Sequence, residues 1–209
     1  MNTQRLKVIG IIILFSLFII VTGIYDFLAI NRPAAGANIL VVEGWLWKSK
    51  AMKEAAEIYR QGNYDWLVTV GEPDEGEQKS TNARKSTAEL AALRLQEYAI
   101  DGWKITQLPV PEVEAHQTYT CALTVRKWLN EKNLKPTAIN VFSLGTHARK
   151  SLVLFEKALG QSVKVGVYAG TEDTFVPERW LTTSRGIYVV TRKAMGYLYA
   201  VLWPLPNQG

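Results

Sequence analysis

The sequence predicts an α/β protein with an open, parallel sheet of about five strands, helices on both faces, and one transmembrane helix ahead of it. Three observations carry this. Residues 8–25, "VIGIIILFSLFIIVTGIY", form an apolar run of 18 residues without a charge. The rest of the chain alternates short apolar strand patterns with helical patterns at regular spacing. Several strand patterns, such as "ANILVVEG", are apolar at nearly every position, as in strands buried on both faces of a parallel sheet. Together these describe a Rossmann-like domain behind a membrane anchor.

The apolar run continues with Phe27 to Ile30 and so approaches the roughly 20 residues needed to span a bilayer. Arg5 and Lys7 precede it, which keeps the N-terminus in the cytoplasm and sends the rest across. A cleavable signal peptide is the competing reading. The run is longer than the usual apolar core of such a peptide, and no small-x-small site closes it, so an uncleaved anchor is expected. The expected organisation is a cytoplasmic tail at 1–7, an anchor at 8–30, a linker at 31–36, the α/β domain at 37–203 and a tail at 204–209. The domain then lies in the periplasm or outside the cell, held by the cytoplasmic membrane. About 170 residues suit a single domain.

The elements follow in order. A strand at 37–44 leads to a helix at 48–62, with Met52, Ala55, Ala56 and Tyr59 on one face and Gly62 closing it. "DWLVTVGE" is the second strand, followed by the polar loop "PDEGEQKS". A helix at 81–100 takes Thr81 or Asn82 as a cap. The third strand, 103–110, alternates in character. A helix at 116–133, a strand at 137–144, a helix at 147–160 and a strand at 163–169 complete a βαβαβαβαβ order. A last helix occupies "SRGIYVVTRKAMGYLYAVLWPLP". Its Tyr188, Tyr197, Tyr199 and Trp203 suit either the domain core or a membrane–water interface.

Composition narrows the function. Lys plus Arg is 24 against 19 acidic residues, a formal net charge of +5. The basic residues are scattered in pairs rather than gathered in a stripe, which argues against a nucleic-acid partner. They suit solvated faces with some attraction to the anionic headgroups of a lipid bilayer. The single cysteine, Cys121, allows no intramolecular disulfide and no cysteine-based metal site, and its apolar helical setting reads as core. The two histidines show no metal-ligand spacing, so no metal and no cofactor is expected. No GxGxxG follows the first strand, and no GxxxxGK[ST] or GxSxG is present, which disfavours nicotinamide enzymes, P-loop NTPases and typical serine hydrolases.

Ligands of open α/β sheets bind beyond the carboxyl ends of the strands. Those ends carry Glu43 and Gly44, Gly71 and Glu72, His116 and Thr118, and Ser143, Thr146, His147, Arg149 and Lys150. Both histidines fall on this rim. His147 is a candidate acid or base because its ordinary pKa lies near neutrality, with Glu43 as partner or as the base itself. Helix starts near 117 and 147, with Arg149 and Lys150, suit an anionic small-molecule ligand. The plain alternative is that His147 caps its helix or bonds a loop carbonyl.

The stretches "VVEGWL", "YRQGNYDWLVTVGE", "QTYTCA" and "SLGTHARKS" resemble the SanA/YdcF/ElyC-like family of bacterial envelope proteins, over roughly residues 38–200. Thr118, Ser143 and His147 fit that family's motifs. Thr120 and Cys121 stand where the family has Glu and Asn, and Lys150 stands where Arg is usual. The resemblance implies an external α/β domain serving envelope or cell-wall biogenesis. Two readings follow from residues and resemblance together. One is a domain that binds a phosphorylated or lipid-linked envelope precursor and hydrolyses or transfers it. The other is a non-catalytic factor that binds a precursor or an envelope partner protein. A cytoplasm-facing domain with a nucleotide-like ligand would require an inverted anchor.

Overall fold

The structure, a computed structural model, describes residues 22–74, 76 and 84–204. The apolar run over 8–21, the Thr81 and Asn82 caps and the tail beyond 204 lie outside them. Among the described residues no helix is long and apolar enough to cross a membrane.

Five strands build one sheet: β1 (Ile39–Glu43), β2 (Trp66–Gly71), β3 (Ile105–Pro109), β4 (Ala138–Leu144) and β5 (Lys164–Gly170). Every pairing is parallel and the order is β3-β2-β1-β4-β5. The chain winds outward from β1 to β3, then crosses to β4 and winds the other way. The reversal falls between β1 and β4, where such sheets open a crevice at their carboxyl edge.

Four helices cover the faces: α1 (Ala51–Gln61), α2 (Thr87–Glu97), α3 (Gln117–Glu131) and α4 (Ala148–Leu159). Side chains of successive strand residues point to opposite faces, which explains why the strand patterns are apolar throughout. Ile39 and Val41 meet Tyr119, Val125, Leu152 and Phe155 on the α3 and α4 side. Leu40 and Val42 meet Met52, Ala55, Ala91 and Leu95 on the other. The edge strand β3 is the exception: Gln107 and Pro109 are exposed, which accounts for its alternating sequence.

The helix starts are held in two different ways. Ser49 and the amide of Lys50 donate to the Asp173 carboxylate, at 3.0 and 2.8 Å, just ahead of α1. That position is where dinucleotide-binding folds place a pyrophosphate, and here the chain's own carboxylate fills it. Ser86 and Glu89 form a reciprocal capping box on α2. By contrast, α3 and α4 begin with no side-chain cap.

The region ahead of β1 packs on the domain. Residues 22–28 are helical, and Leu28 is buried against Trp180 and Val190. Arg32 pairs with Val167. The amide of Ala34 donates to Asn140 at 2.7 Å, so residues 31–36, expected as a linker, lie against the sheet. A final helix, α5 (Ser184–Leu202), packs on α4 and stops before Pro204.

Gly44 and Gly71 let α2 approach the strand ends. A β-carbon on Gly44 would stand 2.6 Å from the carbonyl carbon of Thr87, a backbone atom that cannot move aside cheaply. Gly44→Ala is therefore expected to cost roughly 1–3 kcal/mol through forced backbone shifts. Thermal unfolding of the full chain checks this, and an unchanged melting temperature would contradict the close approach.

Candidate functional site

A cleft of about 540 Å³ opens at the carboxyl edge of the sheet, beyond β1 and β2 and beside the starts of α2, α3 and α4. Glu43, Gly71, Glu72, Thr118, His147 and Lys150 all line it, as the sequence leads one to expect. So do Trp45 and Asp74 from the turns after β1 and β2, and Arg192 and Lys193 from α5.

Glu43 ends β1 and is 2 % exposed. Its carboxyl accepts from Ser143 Oγ at 2.5 Å and from Ser151 Oγ at 2.9 Å, and the two hydroxyls lie 3.2 Å apart. Burying a carboxylate costs several kcal/mol, while a hydrogen bond to a charged group returns about 1.5–3. Burial wins: it pushes the Glu43 pKa above its ordinary 4.5, against the opposing pull of the two serines, Lys193 and Trp45. Glu43 thus ties β1 to β4 and α4 and is not the partner of His147, which corrects the expected pairing.

His147 occupies the junction between a 3-10 turn (Gly145–His147) and α4. Lys193 Nζ lies 3.0 Å from its Nδ1. An ammonium can only donate, so Nδ1 accepts and Nε2 carries the ring hydrogen. Nε2 lies 3.4 Å from Thr118 Oγ1. The Trp45 ring meets the imidazole edge to face at 5.2 Å, and Lys193 also sits over that indole at 4.8 Å. Burial, then the charges of Lys193, Lys150 and Arg192, hold the His147 pKa well below 6.5. It is therefore neutral near pH 7, and its Nε2–H is a donor.

Burial also lowers the Lys193 pKa to about 8, opposed by Glu43 and reinforced by Lys150 and Arg192. Lys150 is lowered for the same first reason. Cys121 reaches the cleft from α3, but burial pushes its thiol up, away from a reactive thiolate.

Other expected residues lie elsewhere. Arg149 turns away from the cleft: its Nε donates to the Phe27 carbonyl, and its guanidinium covers the Phe27 ring at 3.9 Å. Consecutive helix residues point about 100° apart, so Arg149 and Lys150 do not clamp one anion together. His116, at φ +64°, stacks on Trp203 with ring centroids 4.1 Å apart. It lines an annex of about 250 Å³, which shares Gln117, Thr118 and Lys150 with the main cleft. Ser143 is fully buried beneath Glu43, and Gly44 packs under Thr87. Thr146 is 1 % exposed, and its hydroxyl has no hydrogen-bond partner among the described residues.

Sequence reading missed Arg192 and Lys193 as site residues. The available signal was a basic pair inside an otherwise apolar, aromatic helix. Among the described residues no group of three or more His, Cys, Asp or Glu is placed to hold a metal ion. No protein-family model, curated protein or solved structure matches the chain.

A raised folded-state pKa at Glu43 adds stability below the unfolded carboxyl's range, and this is lost as pH rises through the folded value. Glu43→Gln, which keeps the volume and a carbonyl acceptor, is expected to hold the fold and flatten the decline in melting temperature above pH about 4.5. Glu43→Leu leaves two buried hydroxyls without their acceptor and is expected to lose about 1–3 kcal/mol. Melting curves across pH for both variants check the pair of outcomes.

Proposed function

We propose that this chain is a membrane-anchored protein of the SanA/YdcF/ElyC-like type, with its α/β domain outside the cytoplasm. Its cleft binds an anionic, phosphorylated or lipid-linked envelope precursor. One observation carries the reading: the two helix starts without side-chain caps, α3 and α4, flank the same cleft into which Lys150, Arg192 and Lys193 project. The uncapped first amides of α3 and the dipoles of both helices favour an anion there, and the cations multiply that preference. Neutral His147 adds an Nε2–H donor, and Thr118 a hydroxyl that donates or accepts.

Binding is the better-supported part. No activated nucleophile lines the cleft among the described residues. Ser143 is sealed beneath Glu43, the Cys121 thiol is held protonated, and His147 Nδ1 is occupied by Lys193. Hydrolysis or group transfer is the second reading, favoured by Asp74. Its Oδ2 is buried without a hydrogen-bond partner among the described residues, and Asp74 lines the cleft, where its carboxylate would serve as an acceptor or, once a ligand or water reaches it, as a base. The membrane position and the envelope role rest on the apolar run at 8–25 and on the motif resemblance.

The test is anion titration of the full chain in detergent, with inorganic phosphate, pyrophosphate and a short polyprenyl phosphate. Bound anion stabilises the Lys193 ammonium, so affinity is expected to fall as pH rises through about 8. Lys193→Met should weaken binding roughly 10–100-fold, the worth of one charged hydrogen bond, and remove that alkaline limb. Arg149→Ala should leave affinity unchanged. Equal losses from Lys193→Met and Arg149→Ala, or no binding of any anion, would reject the site.

A further inference from the structure

Helix α5 presents a surface that the anion site does not explain. Only Gly186, Val190 and Ala200 of its residues are buried. Ile187, Tyr188, Met195, Leu198, Tyr199 and Leu202 are all exposed, with Met195 at 66 %, Leu198 at 57 % and Leu202 at 79 %. At 100° per residue these six fall within an arc of about 120°, one stripe along the helix. Single exposed apolar side chains are ordinary, but a contiguous stripe of this kind marks a surface that meets something apolar.

Two facts identify what covers it. The first is where the chain comes from. The uncharged run at 8–25 feeds directly into the helical residues 22–28. These lie alongside α5: Leu28 packs on Val190, and the Phe27 ring meets Tyr197 at 5.5 Å. A segment suited to hydrocarbon therefore ends against α5, on the face next to the stripe. The second is charge. Arg185 and Arg192, both exposed, border the stripe on one side, as basic residues border the apolar face of helices lying in a lipid headgroup layer. Tyr188 and Tyr199 are of the type that sits at that level.

We infer that α5 lies along the outer surface of the chain's own membrane, with its apolar stripe set into the headgroup layer. The inference rests on the anchored reading given above and deepens it. Arg192, Lys193 and Gly196 wall the main cleft, and Tyr199, Ala200 and Trp203 wall the annex. A docked α5 brings both cavities to the level of lipid phosphates. Tyr199 belongs to stripe and annex, and Lys150 to annex and cleft, so the aromatic annex is the route by which a lipid-linked anion reaches Lys150 and Lys193 without leaving the membrane.

The full chain, reconstituted in vesicles of zwitterionic and anionic phospholipid, tests this. An environment-sensitive fluorophore is placed on cysteines introduced at Met195→Cys, Leu198→Cys, Leu202→Cys, Trp103→Cys and Ser16→Cys, and the parent chain, taken through the same labelling, is the blank for the buried native Cys121. Nitroxide-bearing lipids then report contact and depth. Labels at 195, 198 and 202 should be quenched most by nitroxides near the headgroups. The label at 103, at the opposite end of the sheet, should stay unquenched, and the label at 16 should be quenched by deep nitroxides. Labels at 195 and 198 that behave like the one at 103, with 16 deeply quenched, overturn the α5 inference and leave the anchor standing. Quenching at 195, 198 and 202 without quenching at 16 supports the inference and rejects the spanning anchor. Shielding at 195 and 198 without lipid quenching, together with cross-linking between two chains, overturns it in favour of a second copy.

Discussion

The carboxyl of Glu43 is the point on which the architecture of the cleft depends. It stands at the end of β1, at the reversal of winding direction, and reaches across to Ser143 on β4 and Ser151 on α4. The backbone ladder already holds β1 to β4, but a ladder does not fix the helix that follows. Ser151 lies one turn inside α4, so its bond to Glu43 sets how that helix leaves the sheet. His147, one turn earlier, is positioned with it. The serine pair at 3.2 Å leaves the carboxyl little freedom, and both of its oxygens are engaged. A buried carboxyl used in this way organises a site rather than performing proton transfer in it.

Electrostatics then separates two ideas that the sequence left joined. A histidine near a glutamate invites an acid–base pair. In the folded chain the histidine faces three cations and is driven neutral, while the glutamate is occupied by hydroxyls. What remains in the open cleft is a set of donors: an imidazole N–H, a threonine hydroxyl, an ammonium with a lowered pKa and the first amides of α3. In the proposed reading that set recognises negative charge. The acidic residues Glu72 and Asp74 also line the cleft, so it carries both signs of charge rather than being uniformly positive. A ligand carrying an anionic centre and a neutral, hydrogen-bonding portion suits such a division.

Much of the fold was legible because each element carries its own signal. Near-continuous apolar strands, helix-period faces and closing glycines gave the types and order of the elements, and both helix starts at the rim fell within a residue of their observed positions. The capping of α2 was misread: Thr81 and Asn82 lie outside the described residues, and Ser86 forms the cap with Glu89. The site was legible only where it lies at strand ends. Glu43, Thr118, His147 and Lys150 were found that way. Lys193 and Arg192 were not, because α5 folds back over the cleft from far along the chain, and no local pattern encodes that return. Arg149 and His116 were drawn in by proximity in sequence. A helical turn sends one to Phe27, and a left-handed residue sends the other to Trp203. Trp45 and Trp47, two residues apart in the same turn, divide similarly: one covers His147, and the other donates towards Asp74.

In the proposed reading the starts of α3 and α4 and the α5 cations form one anion site. Tungstate, a heavy oxyanion of phosphate-like shape, locates such a site by its anomalous scattering in crystals of the full chain. The strongest peak is expected within hydrogen-bonding reach of His147 Nε2, Thr118 Oγ1 and the Lys193 or Lys150 ammonium. A peak confined to Arg149 or to surface lysines, with none in the cleft, would contradict it.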